Sequence, residues 1–362
     1  MINMVQTRDD ILSLLEAKGA QVAKEAQRGV ILQPGALGDC ILTLPLVKVM
    51  TEALGLGGVD LVGHSEYIGI LPGRSCVSSV RCIDSTELHR LFVEPAKFDL
   101  ADRDPLINTF ADYAWIVTFL GEPDGNFEQN LIFTANCSHS AEVITLSLKP
   151  PQDAGLHVAE HYVRQFARQS GLPPDEAKVA TVKPLIQVTA ADRERGLEMV
   201  GQMGIDVSRR LVVIHPGSGG RHKCWHIGNF LSIAQMLRSK EIEVLFLLGP
   251  AEVERFENMD KARLYGAARC AAHLPLSRVV DLLACADAFL GNDSGVTHLA
   301  AGMGLRTIAM FGPTDPALYQ PIGPAVTVLQ DPHDRFTRQP CPDLQKTVVE
   351  GVFTSPFDCP GD

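Results

Sequence analysis

The sequence predicts an α/β protein made of two Rossmann-like domains, each with a parallel sheet. Apolar strands alternate with helices along the 362 residues, as in parallel sheets that helices cover on both faces. One opening occurs twice, at Val30 and at Leu211: an apolar strand, a glycine-containing turn and a helix start. The length also exceeds the about 250–300 residues that one core usually reaches. We therefore expect two domains that face each other, with a ligand at the carboxyl ends of their strands.

The first domain is predicted over residues 1–190. It begins with a polar, helix-prone lead-in over residues 7–27 and a strand over Val30–Gln33. The strand runs into Pro34–Asp39, after which a helix continues through Met50. The later apolar segments of this domain are Val59–Val62, Trp115–Leu120, Leu131–Phe133 and Val143–Leu146, and Ala159–Gln169 is helical in pattern.

The second domain is predicted over residues 191–330, where the strand pattern restarts after a charged connecting helix at Ala190–Met203. Its predicted strands are Leu211–Ile214, Val244–Leu248, Ala288–Leu290 and Thr307–Phe311. Its predicted helices are Ile227–Lys240, Ala251–Tyr265, Ser277–Ala286 and Val296–Met303. Residues 331–362 are predicted to form an irregular C-terminal tail.

Charge and cysteine content exclude several classes of protein. The formal net charge of −11 provides no basic field for nucleic-acid phosphates, although local residues such as Arg221 and Lys223 could steer an anionic ligand. Nine cysteines without a CxxC pair indicate reduced thiols. Charged residues interrupt Met1–Gly29, and no run reaches the roughly 18–20 apolar residues of a membrane span. We predict a cytoplasmic protein without a signal peptide.

The turn after the strand Leu211–Ile214 is rich in glycine, at Gly217, Gly219 and Gly220. Glycines at a strand–helix junction let backbone N–H groups approach an anion, and the helix start adds partial positive charge. Lys223 lies at the same corner, where it could pair with a phosphate. The turn lacks the Gly-Lys-Ser/Thr of a Walker P-loop, and a tight turn with solvated basic residues would give the same pattern.

A second candidate site is the segment Asn292–His298. Either Asp293 or Ser294 can cap the helix that follows, and the amides at the helix start would then form an anion site. His298 falls about one turn into this helix, close to the same ligand. The alternative is an ordinary helix cap with a core histidine. The position after a strand, in the domain that also holds the glycine-rich turn, favours a binding role.

Asp39 follows Gly38 at the start of the first-domain helix. One interpretation is a helix-capping aspartate. The other is a carboxylate that takes a proton from an acceptor hydroxyl, with Gly35 and Gly38 letting the substrate approach. The spacing is Gly-x-x-Gly-Asp rather than GxGxxG, and Asp60 is the nearest candidate for an acidic ribose partner. A nicotinamide-dependent oxidoreductase is therefore the weaker alternative.

His222, Cys224 and His226 have a spacing that could suggest a metal site. Alternate residues share a face only in extended chain, and structural zinc needs about four clustered ligands. No fourth ligand is nearby in the sequence, so we expect no metal.

Three motifs, in order, resemble glycosyltransferase family 9, the ADP-heptose:lipopolysaccharide heptosyltransferases. They are Pro34–Pro45, then Ile214–Gly219 with Lys223 and Trp225, then Asn292–Ala301 followed by Phe311–Pro316. The resemblance implies a GT-B architecture and an inverting, metal-independent transfer without a cofactor. Residues 64–150 match none of the family's motifs, and acceptor recognition is expected there.

The resemblance also implies a role for individual residues. By position, Asp39 matches the family's catalytic base, and Lys223 matches the lysine that neutralises the diphosphate leaving group. Such a leaving group develops negative charge, which a lysine and amides at helix starts would stabilise. The donor-binding residues implied are Ser218, Gly219, Glu252, Asp293, Ser294, Gly295 and His298, with Glu252 near the nucleotide ribose.

We therefore expect transfer of a heptose from ADP-heptose onto a glycolipid or glycan acceptor, as in lipopolysaccharide core biosynthesis. Two alternatives stay open: a non-catalytic nucleotide-sugar-binding protein of the same fold, and a transferase with another nucleotide-sugar donor. The expected partners are the nucleotide sugar and the acceptor, with no nucleic acid. We expect a monomer, and the sequence leaves peripheral contact with the inner membrane face open.

Overall fold

The computed structural model describes residues 27–151, 155–173, 178–179, 183–331 and 336–352. The predicted lead-in over residues 7–27 lies outside the described residues except for Gln27. Among the described residues, contacts group the chain into two compact units. The first holds residues 27–35, 43–150 and 159–179, and the second holds residues 36–42, 151–158 and 180–352, as far as these are described.

This grouping differs from the predicted division into residues 1–190, 191–330 and 331–362. The stretch Ala36–Leu42, which carries Asp39, groups with the second unit. The second unit also begins before residue 190, because Ile186 donates its backbone N–H to Gly302 O at 2.9 Å. The sequence-based boundary follows where the strand pattern restarts, whereas the units follow which residues pack together.

The first unit contains a five-stranded, all-parallel sheet with strand order β3-β2-β1-β4-β5. The strands are β1 (Arg28–Leu32), β2 (Gly58–Gly63), β3 (Val77–Cys82), β4 (Tyr113–Thr118) and β5 (Glu142–Thr145). The helices in this part of the chain are α1 (Leu37–Leu54), α2 (Ser65–Ile68), α3 (Pro105–Phe110), α4 (Asn126–Asn136) and α5 (Val158–Ser170). Val30, Ile31 and Leu32 of the central β1 are fully buried, which explains its continuous apolar run.

Two features of this unit were not predicted from the sequence pattern. Strand β3 was not predicted, because it lies at the sheet edge and several of its residues are polar and exposed. Leu131–Phe133, grouped with the strand-like segments, lies inside helix α4. Leu131 is fully buried whereas Phe133 is 56% exposed, so the apolar run wraps around a helix instead of filling a strand.

The second unit contains a six-stranded, all-parallel sheet with strand order β11-β10-β9-β6-β7-β8. The strands are β6 (Leu211–His215), β7 (Glu243–Leu248), β8 (Arg269–Ala272), β9 (Ala288–Asn292), β10 (Arg306–Phe311) and β11 (Val326–Gln330). The helices are α6 (Ala190–Gln202), α7 (Ile227–Arg238), α8 (Pro250–Arg255), α9 (Asn258–Ala267), α10 (Leu276–Ala284), α11 (Gly295–Gly302) and α12 (Pro316–Tyr319).

The helix predicted over Ala251–Tyr265 is in fact two helices. The backbone is extended at Phe256 and Glu257, which separates α8 from α9. The short strands β8 and β11 were also not predicted; both lie at the sheet edges and are only partly buried. Tertiary contacts decide all three features, and the local pattern does not encode them.

The described part of the predicted irregular tail is helical from Pro342 onward. Helix α13 (Pro342–Lys346) is followed by a π-helical turn over Thr347–Val352. Phe336, Cys341, Val348 and Val349 belong to the main core cluster of the second unit. This segment therefore contributes four buried side chains to that unit's core.

The predicted fold class, α/β with two Rossmann-like parallel sheets, is confirmed. Among the described residues, no helix has the length and apolar character needed to cross a membrane.

Candidate functional site

The loops that follow β6 and β9 meet at the carboxyl edge of the second sheet. These two strands pair in parallel at the centre of the sheet, with His215 opposite Gly291. The chain continues outward from β6 toward β7 on one side and from β9 toward β10 on the other. Ligands of such sheets bind outside the strand ends where the order reverses. The glycine-rich turn and the segment Asn292–His298 both lie at this point.

Asn292 fixes the glycine-rich turn to the end of β9. Its Nδ2 donates to Pro216 O at 2.8 Å and to Gly217 O at 3.3 Å. Its Oδ1 accepts from Trp225 N at 2.9 Å. The amide side chain is fully buried and thereby ties both ends of the turn to one strand. The turn is therefore held in place before any ligand binds.

Asp293 is the residue at which the two loops make direct contact. Its backbone O accepts from the Ser218 hydroxyl at 2.6 Å, and its N–H donates to Met310 O at 3.1 Å. Its side-chain Oδ2 accepts from Lys223 Nζ at 2.7 Å. The Lys223 side chain is 32% exposed against 7% for Asp293, so the ammonium is the accessible member of the pair.

Ser294, not Asp293, caps helix α11. Its side-chain oxygen accepts from Thr297 N at 3.3 Å. The amides of Gly295 and Val296, in the first turn, have no acceptor among the described residues. Unpaired amides at the positive end of a helix form a site for an anion.

His298 lies one turn into α11 and is buried. Its Nε2 is 4.0 Å from Asp293 Oδ1. Burial is the main cause that lowers the His298 pKa to about 4, with smaller contributions from His157 and Lys223 and an opposing one from Asp293. The ring is therefore neutral near pH 7. Its Nδ1 is buried and has no hydrogen-bond partner among the residues described.

Asp39 lies in the first turn of α1, where its Oδ2 accepts from Ala36 N at 3.0 Å. Burial raises the Asp39 pKa above its ordinary value. The Ala36 N–H and Lys223 oppose that rise, whereas the carboxylate of Asp293 adds to it. Asp39 therefore interacts electrostatically with both Lys223 and Asp293. All three residues belong to the second unit.

Two glycines bring the start of α1 against the start of α11. A Cβ built on Gly295 would lie 2.9 Å from Leu37 Cβ and 3.2 Å from Gly38 N. A Cβ built on Gly38 would lie 3.2 Å from His298 Cδ2. A side chain at Gly295 would press on the start of α1, which carries Asp39, and a side chain at Gly38 would lie tightly against the His298 ring.

Glu252 closes the opposite side of the glycine-rich turn. It lies in the first turn of α8, where its Oε2 accepts from Gly249 N at 2.8 Å. A Cβ on Gly217 would fall only 1.9 Å from Glu252 Oε1, so the carboxylate can lie there only against a glycine. A cavity of about 150 Å³ adjoins these groups, lined by Gly217, Ser218, Arg221, Cys224, Glu252, Phe256, Glu257 and Asp260.

Several residues of this region were missed by the sequence analysis as site residues. Phe256 stands at the break between two helices that the pattern predicted as one, so nothing in the sequence indicated it. Cys224 lies between the two residues quoted for the lysine motif, Lys223 and Trp225, and that position was the available signal. Asn292 is the first residue of the segment Asn292–His298. Its hydrogen bonds to the glycine-rich turn depend on β6 and β9 being neighbours, which the sequence does not show.

Three further residues named in the sequence analysis are Gly35, Gly219 and Asp60. Gly35 donates its N–H to Gln33 Oε1 at 2.9 Å and groups with the first unit. Gly219 is exposed, and a Cβ there would meet no atom within 4 Å. Asp60, considered as a ribose partner, instead accepts from Arg28 Nη2 at 2.6 Å and Tyr113 OH at 2.8 Å. These bonds lower the Asp60 pKa against the effect of its burial and make it a structural ion pair.

The histidines and cysteine after the glycine-rich turn do not form a metal-binding group. Cys224 Sγ donates to Gly220 O at 3.5 Å, and His226 Nδ1 accepts from Gly228 N at 3.1 Å. Across the described part of the chain there is no group of three or more His, Cys, Asp or Glu residues arranged to hold a metal ion.

Two solved glycosyltransferases share this fold. The glycosyl transferase family 9 protein of Veillonella parvula superposes with a TM-score of 0.63 at 16% identity, over 84% of this chain and 86% of that one. The Escherichia coli heptosyltransferase WaaC with ADP superposes with a TM-score of 0.62 at 18% identity, over 90% of this chain and 99% of that one. At these identities the likeness establishes the fold, which is that of two parallel-sheet α/β units.

The sequence model of glycosyltransferase family 9 (heptosyltransferase) matches residues 137–348. The chain belongs to this family. The match includes Lys223 and Asp293 and leaves Asp39 outside.

Two curated relatives are named as heptosyltransferases. Lipooligosaccharide heptosyltransferase 2 of Haemophilus influenzae is 27% identical over 180 residues, which is 48% of this chain and 51% of the relative. Lipopolysaccharide core heptosyltransferase OpsX of the same organism is 26% identical over 145 residues, or 39% of this chain and 42% of the relative. The chain thus spans about half the length of the curated relatives that it matches.

Proposed function

We propose that this protein is an inverting glycosyltransferase that moves a heptose from ADP-heptose to a hydroxyl of a glycolipid or glycan acceptor. The observation that carries the proposal is the convergence of Lys223, the Gly217–Gly220 turn and the start of α11 at the β6–β9 strand ends. An ammonium and amides without acceptors at one point suit a diphosphate. The names of the family and of the relatives support the choice of heptose and of a lipopolysaccharide acceptor.

In the proposed reaction, Asp39 accepts the proton of the acceptor hydroxyl as that oxygen attacks the anomeric carbon of the sugar. The bond from this carbon to the diphosphate oxygen breaks, and the electron pair leaves with ADP. Lys223 and the amides of Gly295 and Val296 stabilise the charge on the departing diphosphate. One displacement from the opposite face inverts the anomeric configuration. The raised pKa of Asp39 makes it a stronger base than an exposed aspartate.

The nucleoside is proposed to occupy the cavity beside the glycine-rich turn. Glu252 is buried beside the turn, and its Oε1 lies against Gly217, where it could accept from a ribose hydroxyl. Phe256 offers an aromatic wall for a base, and Arg221 adds positive charge on the phosphate side. Together these contacts extend the phosphate site along the length of a nucleoside diphosphate.

A transfer assay tests the proposal. The protein is incubated with ADP-heptose and heptose-free lipopolysaccharide, with and without EDTA, and both ADP release and the mass of the acceptor are followed. We expect ADP release matched by one added heptose on the acceptor, unchanged by EDTA. NMR of the product should show the anomeric configuration opposite to that of the donor.

The alternatives give different results in the same assay. Tight binding of ADP-heptose without turnover on any acceptor would indicate a non-catalytic nucleotide-sugar-binding protein. Turnover with another nucleotide sugar but not with ADP-heptose would indicate a different donor. Loss of transfer in EDTA, restored by a divalent cation, would contradict the metal-independent mechanism.

A further inference from the structure

The lysine assigned to the diphosphate already has a counter-ion within the protein. Lys223 Nζ lies 2.7 Å from Asp293 Oδ2, so a phosphate that takes up this ammonium must compete with a carboxylate. The pair is only partly exposed, which strengthens the attraction relative to a pair in bulk water.

Asp293 cannot follow the lysine toward a ligand, because its backbone is fixed on both sides. Its N–H bonds Met310 O and its carbonyl accepts from Ser218, while the preceding Asn292 clamps the turn. Lys223 in contrast stands on a single 3-10 turn over Arg221–Lys223 and carries its charge at the end of a flexible four-carbon stem. The ammonium is the part that moves.

The carboxylates around the pair also oppose an incoming anion. Lys223 and Asp293 are both close enough to Asp39 to affect its pKa, which Lys223 lowers and Asp293 raises. His298, which faces the same carboxylate, is neutral near pH 7 because burial lowers its pKa to about 4. Two carboxylates therefore face one ammonium, and a diphosphate brings further negative charge.

We propose that Asp293 competes with the diphosphate for Lys223 and so weakens the binding of the nucleotide. This inference rests on the proposed function, since it takes the diphosphate as the ligand of Lys223. When the diphosphate binds, the ammonium leaves Asp293 for the phosphate oxygens. When ADP departs, Asp293 takes the ammonium back, which favours release of the product. Asp293 is thus a residue that tunes affinity.

Calorimetric titration of ADP and of inorganic pyrophosphate into the full chain tests this. Asp293→Asn keeps the size of the side chain and an acceptor for Lys223 but removes the competing charge. We expect it to bind both ligands about three- to tenfold more tightly than the wild type. Asp206→Asn is the matched control, since it removes one charge from an exposed residue in the loop before β6, at the other end of that strand. It should leave both affinities unchanged.

A double-mutant cycle assigns the gain to the lysine. In a Lys223→Met background, which has no ammonium to release, the gain from Asp293→Asn should shrink. Unchanged or weaker binding in Asp293→Asn would overturn the inference and would show that the carboxylate positions Lys223 for the ligand. If that variant does not fold, Asp293→Ser is titrated in its place under the same expectation. Failure of the wild type to bind either ligand would instead refute the proposed diphosphate site itself.

Discussion

At the scale of single residues, burial sets the charge of the groups around Asp293. Burial raises the pKa of Asp39 and lowers that of His298, so that one becomes a better base and the other a neutral ring. Lys223 remains the cation of the group. A neutral histidine can contact a sugar hydroxyl without attracting a second anion, whereas an imidazolium would compete with Lys223 for Asp293.

His298 should make the stability of the protein depend on pH. Its pKa falls from 6.5 to about 4 on folding, so between these values the unfolded chain binds a proton that the folded chain does not. The free energy of unfolding should therefore decrease as the pH falls through this window. Denaturant unfolding of the wild type and of His298→Gln, measured at intervals from pH 7 to about 4, should show a shallower dependence in the variant.

The control for this prediction is His222→Gln, which replaces an exposed histidine in the segment after β6. It should retain the pH dependence of the wild type. Parallel curves for the wild type and His298→Gln would mean that His298 takes up its proton as readily in the folded state as in the unfolded chain.

At the scale of elements, the position of Asp39 depends on the direct packing of two helix starts. Gly295 in the first turn of α11 lies against Leu37 and Gly38 in the first turn of α1. Because backbone meets backbone there, a rearranged side chain could not accommodate an added methyl group.

Gly295→Ala should therefore destabilise the fold by about 1–3 kcal/mol and displace Asp39, although alanine itself favours a helix. Gly302→Ala, at the other end of α11, is the matched control, since its Cβ would meet Ile41 Cγ2 at 3.5 Å, an ordinary contact. We expect the control to be neutral or slightly stabilising. Thermal unfolding measures both, and equal melting temperatures for the two variants would contradict the packing argument.

The Asn229 side chain holds the C-terminal segment, residues 336–352, against helix α7 of the second unit. Its Oδ1 accepts from Cys341 N at 2.6 Å and from Gln345 Nε2 at 2.7 Å, all within the core. Asn229→Ala removes both bonds and leaves a buried N–H without an acceptor, so we expect a loss of about 2–3 kcal/mol. Asn258→Ala, at an exposed helix start, should have little effect on the same denaturant curve. A loss in Asn258→Ala as large as in Asn229→Ala would refute this role.

The sequence predicted the features that are encoded locally. Strand, glycine-rich turn and helix start follow one another over Leu211–Ile227, and a cap at Asp293 or Ser294 follows β9, so both loops could be placed at strand ends. The contact between these loops could not be predicted, because it depends on β6 lying beside β9. The edge strands and the break at Phe256 were missed for the same reason: tertiary packing determines them.

At the scale of the molecule, the chain is a member of glycosyltransferase family 9 with two parallel-sheet units, and the proposed anion site lies in the second. Because the net charge is −11, a local cation such as Lys223 would be the main charged side chain to attract the proposed anionic donor. The family match includes this lysine but begins after Asp39, so the proposed base is the residue to test directly.

That test is a comparison of Asp39→Asn with the wild type. Under single-turnover conditions with saturating ADP-heptose and acceptor, the variant should transfer the sugar about 10²–10⁴-fold more slowly, because no group accepts the hydroxyl proton. Its affinity for ADP should stay within about twofold of that of the wild type or become tighter, since a nearby negative charge is removed. Transfer at the wild-type rate, with ADP bound normally, would contradict the assignment of Asp39 as the base.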